Sequence, residues 1–331
     1  MQSILSILSA ENDPAWLKKR HGLSYQQIRE LTGLMPDKKI QQEQVLKMAQ
    51  LRIFLNTVRQ LEQNGIWFVL FKGPALSQKL YNDPIYRHYK DMDILIKPAD
   101  LANAMNVFRE NEYQPLQYGF PEDVKKQQRV IRYRWQLPLV HRKTQSKVEI
   151  HWRIMDVMTV SQSKVQKIVE QEIVSENLWG RSFWQFSPEL ELLYLIIHGA
   201  KHAWFRLKWL TDVHRIATHC PPEPKRFLRL SQTLNAHRMV NQANRLMMET
   251  FADAQPLPAI KRDVEKITCF AREKLLEKQE PVLPGASAPP LKQRLRFKCY
   301  LLNLAPDLEY KTRFVNVALS RWIFNQFAVN H

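Results

Sequence analysis

Six consecutive apolar residues, Ile66 to Phe71, stand between Gly65 and Gly73 in a chain whose apolar spacing is otherwise mostly helical. Aromatic and β-branched side chains over so short a run read as a strand buried on both faces, so a sheet must lie among the helices. Ahead of it, Leu51, Phe54, Leu55, Val58 and Leu61 form one stripe on a helix from Ile40 to Gln63 that Asn64-Gly65 stops. After it, Pro74 suits the first turn of a helix and predicts a short one over 75–81, launched straight from the strand. Asn82-Asp83-Pro84 closes that helix, Asp91 to Ile96 reads as a second strand with one wet end, and Pro98 opens a helix to about Asn111. From Arg129 to Trp152 aromatic and β-branched residues return, with Lys143–Lys147 as the turn between two strands; Pro138 predicts an edge or bent strand. Beyond about residue 160 the spacing predicts helices to the end. Ser187-Pro188 starts one that runs to about Ala203, Pro221-Pro222 closes the next, and the proline-rich 281–290 is a surface linker. The expected class is α+β in three parts: an N-terminal helical segment 1–64, an α/β core 65–158 and a C-terminal helical domain 159–331.

Composition narrows the chemistry. The eight glycines never come closer than eight positions apart, which excludes the motifs G-x-G-x-x-G, G-x-x-x-x-G-K and G-x-S-x-G. Any phosphate chemistry must therefore proceed without a glycine-rich loop. Hydrophobic residues make up 45% of the chain and nine are tryptophan, enough for one large core or two modest ones. Cys220, Cys269 and Cys299 stand far apart, giving no disulfide framework and no zinc pattern, which fits a reducing cytoplasm. No apolar run approaches the roughly 20 residues of a membrane span. The opening MQSILSILSA lacks the basic start of a signal peptide and spaces Ile4, Leu5 and Leu8 as an ordinary helix.

Asp91 and Asp93 are two apart on a predicted strand, so both carboxylates leave one face. Two like charges so placed repel unless a cation lies between them, and magnesium takes one or two carboxylates together with substrate phosphates. Glu149 and His151 share a face in Val148–Trp152 and offer a third acid from a neighbouring strand. An isolated D-x-D is usually a solvated strand edge. Here a buried strand, a Lys72-Gly73 turn and a helix start precede it, so a lysine and a helix N-terminus stand on the side of the acids, where anions are favoured.

These segments, Leu70-Phe-Lys72-Gly73-Pro-Ala-Leu, Tyr81-Asn-Asp-Pro84, Arg87, Asp91-Met-Asp93-Ile-Leu-Ile and Glu149-Ile-His151-Trp152, resemble the uncharacterised bacterial nucleotidyltransferase-like proteins of the DNA polymerase β superfamily. The resemblance covers roughly residues 40 to 220. It implies a small mixed sheet flanked by helices and Mg²⁺- or Mn²⁺-dependent transfer of a nucleoside monophosphate from an NTP to an acceptor. It further implies that Asp91, Asp93 and Glu149 hold metal and act in catalysis, while Lys72, Gly73, Arg87 and His151 bind the nucleotide. The chain departs from the wider superfamily in having Pro74 where a small hydroxyl residue usually contacts the triphosphate, and in the long spacing from Gly73 to Asp91.

In the helical half, His198 and His202 share a helix face at the spacing of zinc ligands, but no third ligand is positioned as in H-E-x-x-H, and core or capping roles compete. Lys208 and Asp212 are also four apart. An exposed ion pair is the plain reading; the resemblance, which extends to related toxin-type nucleotidyltransferases, implies triphosphate contact for Lys208 and a base for the acceptor hydroxyl at Asp212. The formal charge of +17 is uneven, with nine Lys+Arg against three acids in 121–155 and eight against two in 200–238. Such stretches suit an NTP, an RNA acceptor or solubility. The acceptor stays open, and a basic RNA- or nucleotide-binding protein without transferase activity is the alternative expectation.

Overall fold

The computed structural model describes residues 4–10, 13–34, 37–116, 119–154, 160–278, 290–305 and 307–328. The expected linker 281–290 lies outside them except for Pro290. The fold is α+β, and the chain divides into two compact units: residues 1–36, 159–161 and 187–314 form one, and residues 37–158, 162–186 and 315–331 the other. Among the described residues, no helix is long and apolar enough to cross a membrane. Cys220, Cys269 and Cys299 are free thiols.

The second unit contains a five-stranded mixed sheet. Its strands are β1 (Phe68–Phe71), β2 (Asp91–Ile96), β3 (Tyr113–Pro115), β4 (Gln136–His141) and β5 (Lys147–His151), in the order β1-β2-β5-β4-β3. β2 and β5 are parallel, and the other pairs are antiparallel. Strand alternation sorts the residues of the three central strands between two faces. Met92, Ile94 and Ile96, Val148 and Ile150, and Leu137 and Leu139 enter the core with Phe54, Val58 and Leu61 of the helix Asp37–Gln63 and with Ala104 and Phe108 of the helix Leu101–Glu110. The opposite face carries Asp91, Asp93, Glu149 and His151. The apolar period that builds the core therefore also aims the acids.

Three segments differ from the sequence expectation. Residues Val124–Tyr133 are a helix, because Asp123 caps it by accepting from the Lys126 N–H at 2.8 Å and Val130 and Ile131 pack on the core. Pro138 lies inside the sheet, on β4 between β5 and β3. Its carbonyl accepts from the Leu116 N–H, just past the end of β3, so the missing proline N–H faces no strand residue. Where helices were expected throughout, residues Ile173–Leu178 (β6) and Arg181–Phe186 (β7) form an antiparallel hairpin. Its two-residue turn, Trp179-Gly180, has positive φ at both positions, as a tight hairpin requires.

The first unit is helical and has its own core. Trp204 is fully buried and donates to Gln242 Oε1 at 3.0 Å, and its ring lies so close to Gly199 that a Cβ there would meet it at 2.4 Å. Arg20, also buried, donates to the carbonyls of Glu277, Lys274 and Phe205, tying an N-terminal helix to distant parts of the same unit. The helix Pro188–Lys201 starts on Ser187, whose hydroxyl accepts from the Leu190 N–H, as the Ser-Pro pair predicts.

Candidate functional site

The site begins at the turn leaving β1. Lys72 has φ 54° and Gly73 φ 46°, two successive left-handed residues. A non-glycine residue held in such a region costs on the order of 1–3 kcal/mol and persists only where its surroundings demand it. At Gly73 the demand is steric as well, since a Cβ would stand 3.3 Å from the Met92 Cα and 3.5 Å from the Asp91 carbonyl oxygen. The bare glycine lets the start of the helix Gly73–Tyr81 rest on the backbone of β2 beside the acids. The turn also places the Lys72 ammonium 3.8 Å from Asp93 Oδ1.

The register supplies the rest. Asp93 pairs with Phe71 of β1 on one side and with Glu149 of β5 on the other, while His151 lies opposite Leu95. Asp93 and Glu149 thus face each other directly, a destabilising arrangement for two like charges unless a cation or donor intervenes. His151 is that donor: its Nε2 lies 3.0 Å from Asp93 Oδ1 and 3.6 Å from Glu149 Oε2, and the Phe71 ring meets it edge-on. Burial by itself would raise the Asp93 pKa, but the charge of Lys72, the His151 hydrogen bond and charge, and the charge of Arg87 outweigh it and hold the carboxyl below its ordinary value. Burial by itself would lower the His151 pKa, but the hydrogen bonds and charges of Asp93 and Glu149 carry it above its ordinary value. Asp93, Glu149 and His151 each offer a ligand atom, and these atoms lie within 4.8 Å of one another. Two carboxylates and an imidazole, from two adjacent strands, fit a divalent cation.

The loop between the helix Gly73–Tyr81 and β2 carries a second layer of charge. Arg87 is buried, with 3% of its surface exposed. Its backbone N–H donates to the Ser77 hydroxyl, which in turn donates to the Asp83 carbonyl. Lys47, which no motif singled out, is also buried; it donates to the Tyr89 carbonyl at 3.2 Å and sits 3.6 Å from the centre of the Tyr89 ring. Neighbouring His88 Nδ1 lies 3.4 Å from Glu43 Oε1. A lysine inside a long amphipathic helix carries no local signal of such a role, because the loop it holds lies some forty residues away.

The other expected residues are placed as follows. Asp91 opens β2 on the face of Asp93, half-buried and opposite Lys147, and is not one of the three clustered ligands. Lys208 and Asp212 lie in the other unit, on the helix Leu207–His219, with Lys208 half-buried and Asp212 fully buried. His198 and His202 belong to an aromatic cluster there: His202 stacks on Trp209 at 5.2 Å and His198 meets Trp209 edge-on. Among the described residues no third ligand joins them.

A family model described as an uncharacterised nucleotidyltransferase matches residues 21–252. The crystal structure of an antigenic nucleotidyltransferase-like protein from Paracoccidioides brasiliensis aligns with 61% of this chain and 93% of its own, at 16% sequence identity and a TM-score of 0.35. No curated protein matches the sequence significantly.

Proposed function

The chain belongs to the uncharacterised nucleotidyltransferase family, and from that premise we propose that it transfers a nucleoside monophosphate from an NTP to an acceptor hydroxyl, with a divalent cation at Asp93, Glu149 and His151. The carrying observation is the convergence of these three ligand atoms beside the Lys72-Gly73 turn. Mg²⁺ or Mn²⁺ held there supplies positive charge for the phosphate oxygens in the transition state. In the reaction, the acceptor oxygen bonds to the α-phosphorus as the bond to the bridging oxygen breaks, and pyrophosphate leaves with that electron pair. The acceptor proton passes to a base. Lys72 and the first turn of the helix Gly73–Tyr81 present positive charge to the departing phosphates, and buried Arg87 adds charge behind them. His151 is better read as orienting Asp93 than as contacting nucleotide, and it would join the ligand set by giving up the Nε2 proton it holds toward Asp93. Asp91 on the same face is a further ligand candidate. Triphosphate contact by Lys208 and the base role of Asp212 rest on the family resemblance. The α/β core 65–158 is the proposed catalytic part.

The test is incubation with labelled NTPs, Mn²⁺ and cell extract, paired with Mn²⁺ titration by calorimetry. Asp93→Asn is expected to abolish labelling and weaken Mn²⁺ binding at least tenfold, with Asp91→Asn weakening it less. Equal labelling by wild type and Asp93→Asn refutes the assignment. A second reading, nucleic-acid binding without transfer, is favoured by Lys125, Lys126, Arg129 and Arg132, all exposed on the helix Val124–Tyr133. Unlabelled extract together with RNA affinity that falls steeply with salt would select it.

A further inference from the structure

Within the helical unit, a groove of about 600 Å³ opens between the helices Glu265–Leu276 and Leu291–Leu302. Its apolar lining comes from Ile267, Phe270, Leu291, Leu295 and Tyr300. Leu291 and Leu295 are one helical turn apart and leave 67% and 51% of their surface in water. Two neighbouring leucines so exposed over an aromatic floor make an apolar surface that no other described residue covers, the kind of surface that serves as a binding site. The volume is that of a small-molecule site.

The rim is mainly cationic. Arg238, Lys266, Lys292 and Arg296 line the groove against a single acid, Asp263. Glu273 holds Arg296 through two hydrogen bonds, at 2.7 and 3.1 Å, and the Arg296 guanidinium lies over the Phe270 ring. Arg238 differs: its Nε is buried and has no hydrogen-bond partner among the described residues. Arg238 lines the groove, and an anion is the acceptor that best answers a guanidinium.

We propose that this groove binds a single-chain amphiphile with an anionic head, the chain lying on the leucines and aromatic rings and the head on Arg238 and the neighbouring lysines. Both halves of the lining are needed for this ligand class. A nucleotide would bring a ribose and several phosphates to a floor that is mainly apolar, and a neutral hydrocarbon would leave the Arg238 donor unanswered. The head is a carboxylate or a phosphate, since both accept from a guanidinium.

The experiment uses the full chain and cis-parinaric acid, whose fluorescence rises in an apolar site, with palmitate, lysophosphatidate and uncharged hexadecanol as competitors. Saturable binding at one site per chain is expected. Displacement by palmitate or lysophosphatidate identifies the preferred head, with hexadecanol at least tenfold weaker. Loss of a charge-assisted hydrogen bond in Arg238→Gln should weaken binding about tenfold or more. Leu295→Glu changes an exposed side chain, so it should abolish binding while leaving the unfolding midpoint in place. An absence of saturable binding, hexadecanol competing as well as the anions, or both variants binding like wild type overturns the proposal.

Discussion

Replacing Gly73 by alanine separates two costs that the structure assigns to this turn. The first is backbone strain: at φ 46° a Cβ crowds its own carbonyl, worth roughly 1–2 kcal/mol for an L-residue. The second is contact, since the new methyl would stand 3.3 Å from the Met92 Cα, a backbone atom of a strand paired on both sides. Such a neighbour gives way only by moving the strand, and overpacking of this kind typically adds about 1–3 kcal/mol. Gly65 is the internal control. It too has positive φ, 67°, but a Cβ there meets nothing within 4 Å. Urea unfolding followed by tryptophan fluorescence should therefore show about 1–2 kcal/mol lost in Gly65→Ala and about 2–5 kcal/mol in Gly73→Ala. If the second methyl is tolerated by displacing the turn, Lys72 moves away from Asp93 and Mn²⁺–NTP affinity falls instead. Equal unfolding losses in the two variants, with unchanged nucleotide affinity, would refute the close approach as the reason for glycine at 73.

Two further outcomes follow from the charges around the site. Asp93 and Glu149 raise the folded-state pKa of His151 above its ordinary 6.5 despite burial, so its contribution to stability is complete below that value and is lost as pH rises through the raised one. Asp93 works in the opposite sense: against burial, Lys72, His151 and Arg87 lower its folded-state pKa, so its contribution is present above the ordinary 3.8 and is lost as pH falls through the lowered one. Scanning calorimetry from pH 6 to 9 should show the stability advantage of wild type over His151→Gln shrinking with pH; a constant difference contradicts the assignment. Lys47→Met keeps the length of the side chain but removes its donation to the Tyr89 carbonyl and its charge over the Tyr89 ring, and should cost about 1–3 kcal/mol in urea unfolding. Unchanged stability would mean that the loop bearing Arg87 is held by other contacts.

Much of this site is legible in the chain because strands repeat every two residues. Val148 and Ile150 must enter a core, so Glu149 and His151 leave the other face; Met92, Ile94 and Ile96 do the same for Asp91 and Asp93. The Gly65–Gly73 interval and Pro74 mark a strand that turns straight into a helix, and Ser187-Pro188 marks a helix start. Local signals failed where the deciding partner was remote or unusual. The Asp123 cap starts a helix that runs into the stretch whose aromatic content suggests strand, and Trp179-Gly180 is not the customary composition of a hairpin turn. Pro138 tolerates an interior strand only because β3 ends opposite it.

The sequence by itself determined which side chains share a face and where the chain must turn, because those follow from backbone period and from glycine and proline geometry. Only the tertiary structure decided that β5 lies parallel beside β2 with Glu149 opposite Asp93, that His151 bridges the two acids, that Arg87 is buried with its charge acting on Asp93, and that Lys47 is buried against Tyr89. Strand order and register depend on contacts between segments more than fifty residues apart, and no local propensity encodes which acid a given acid will face.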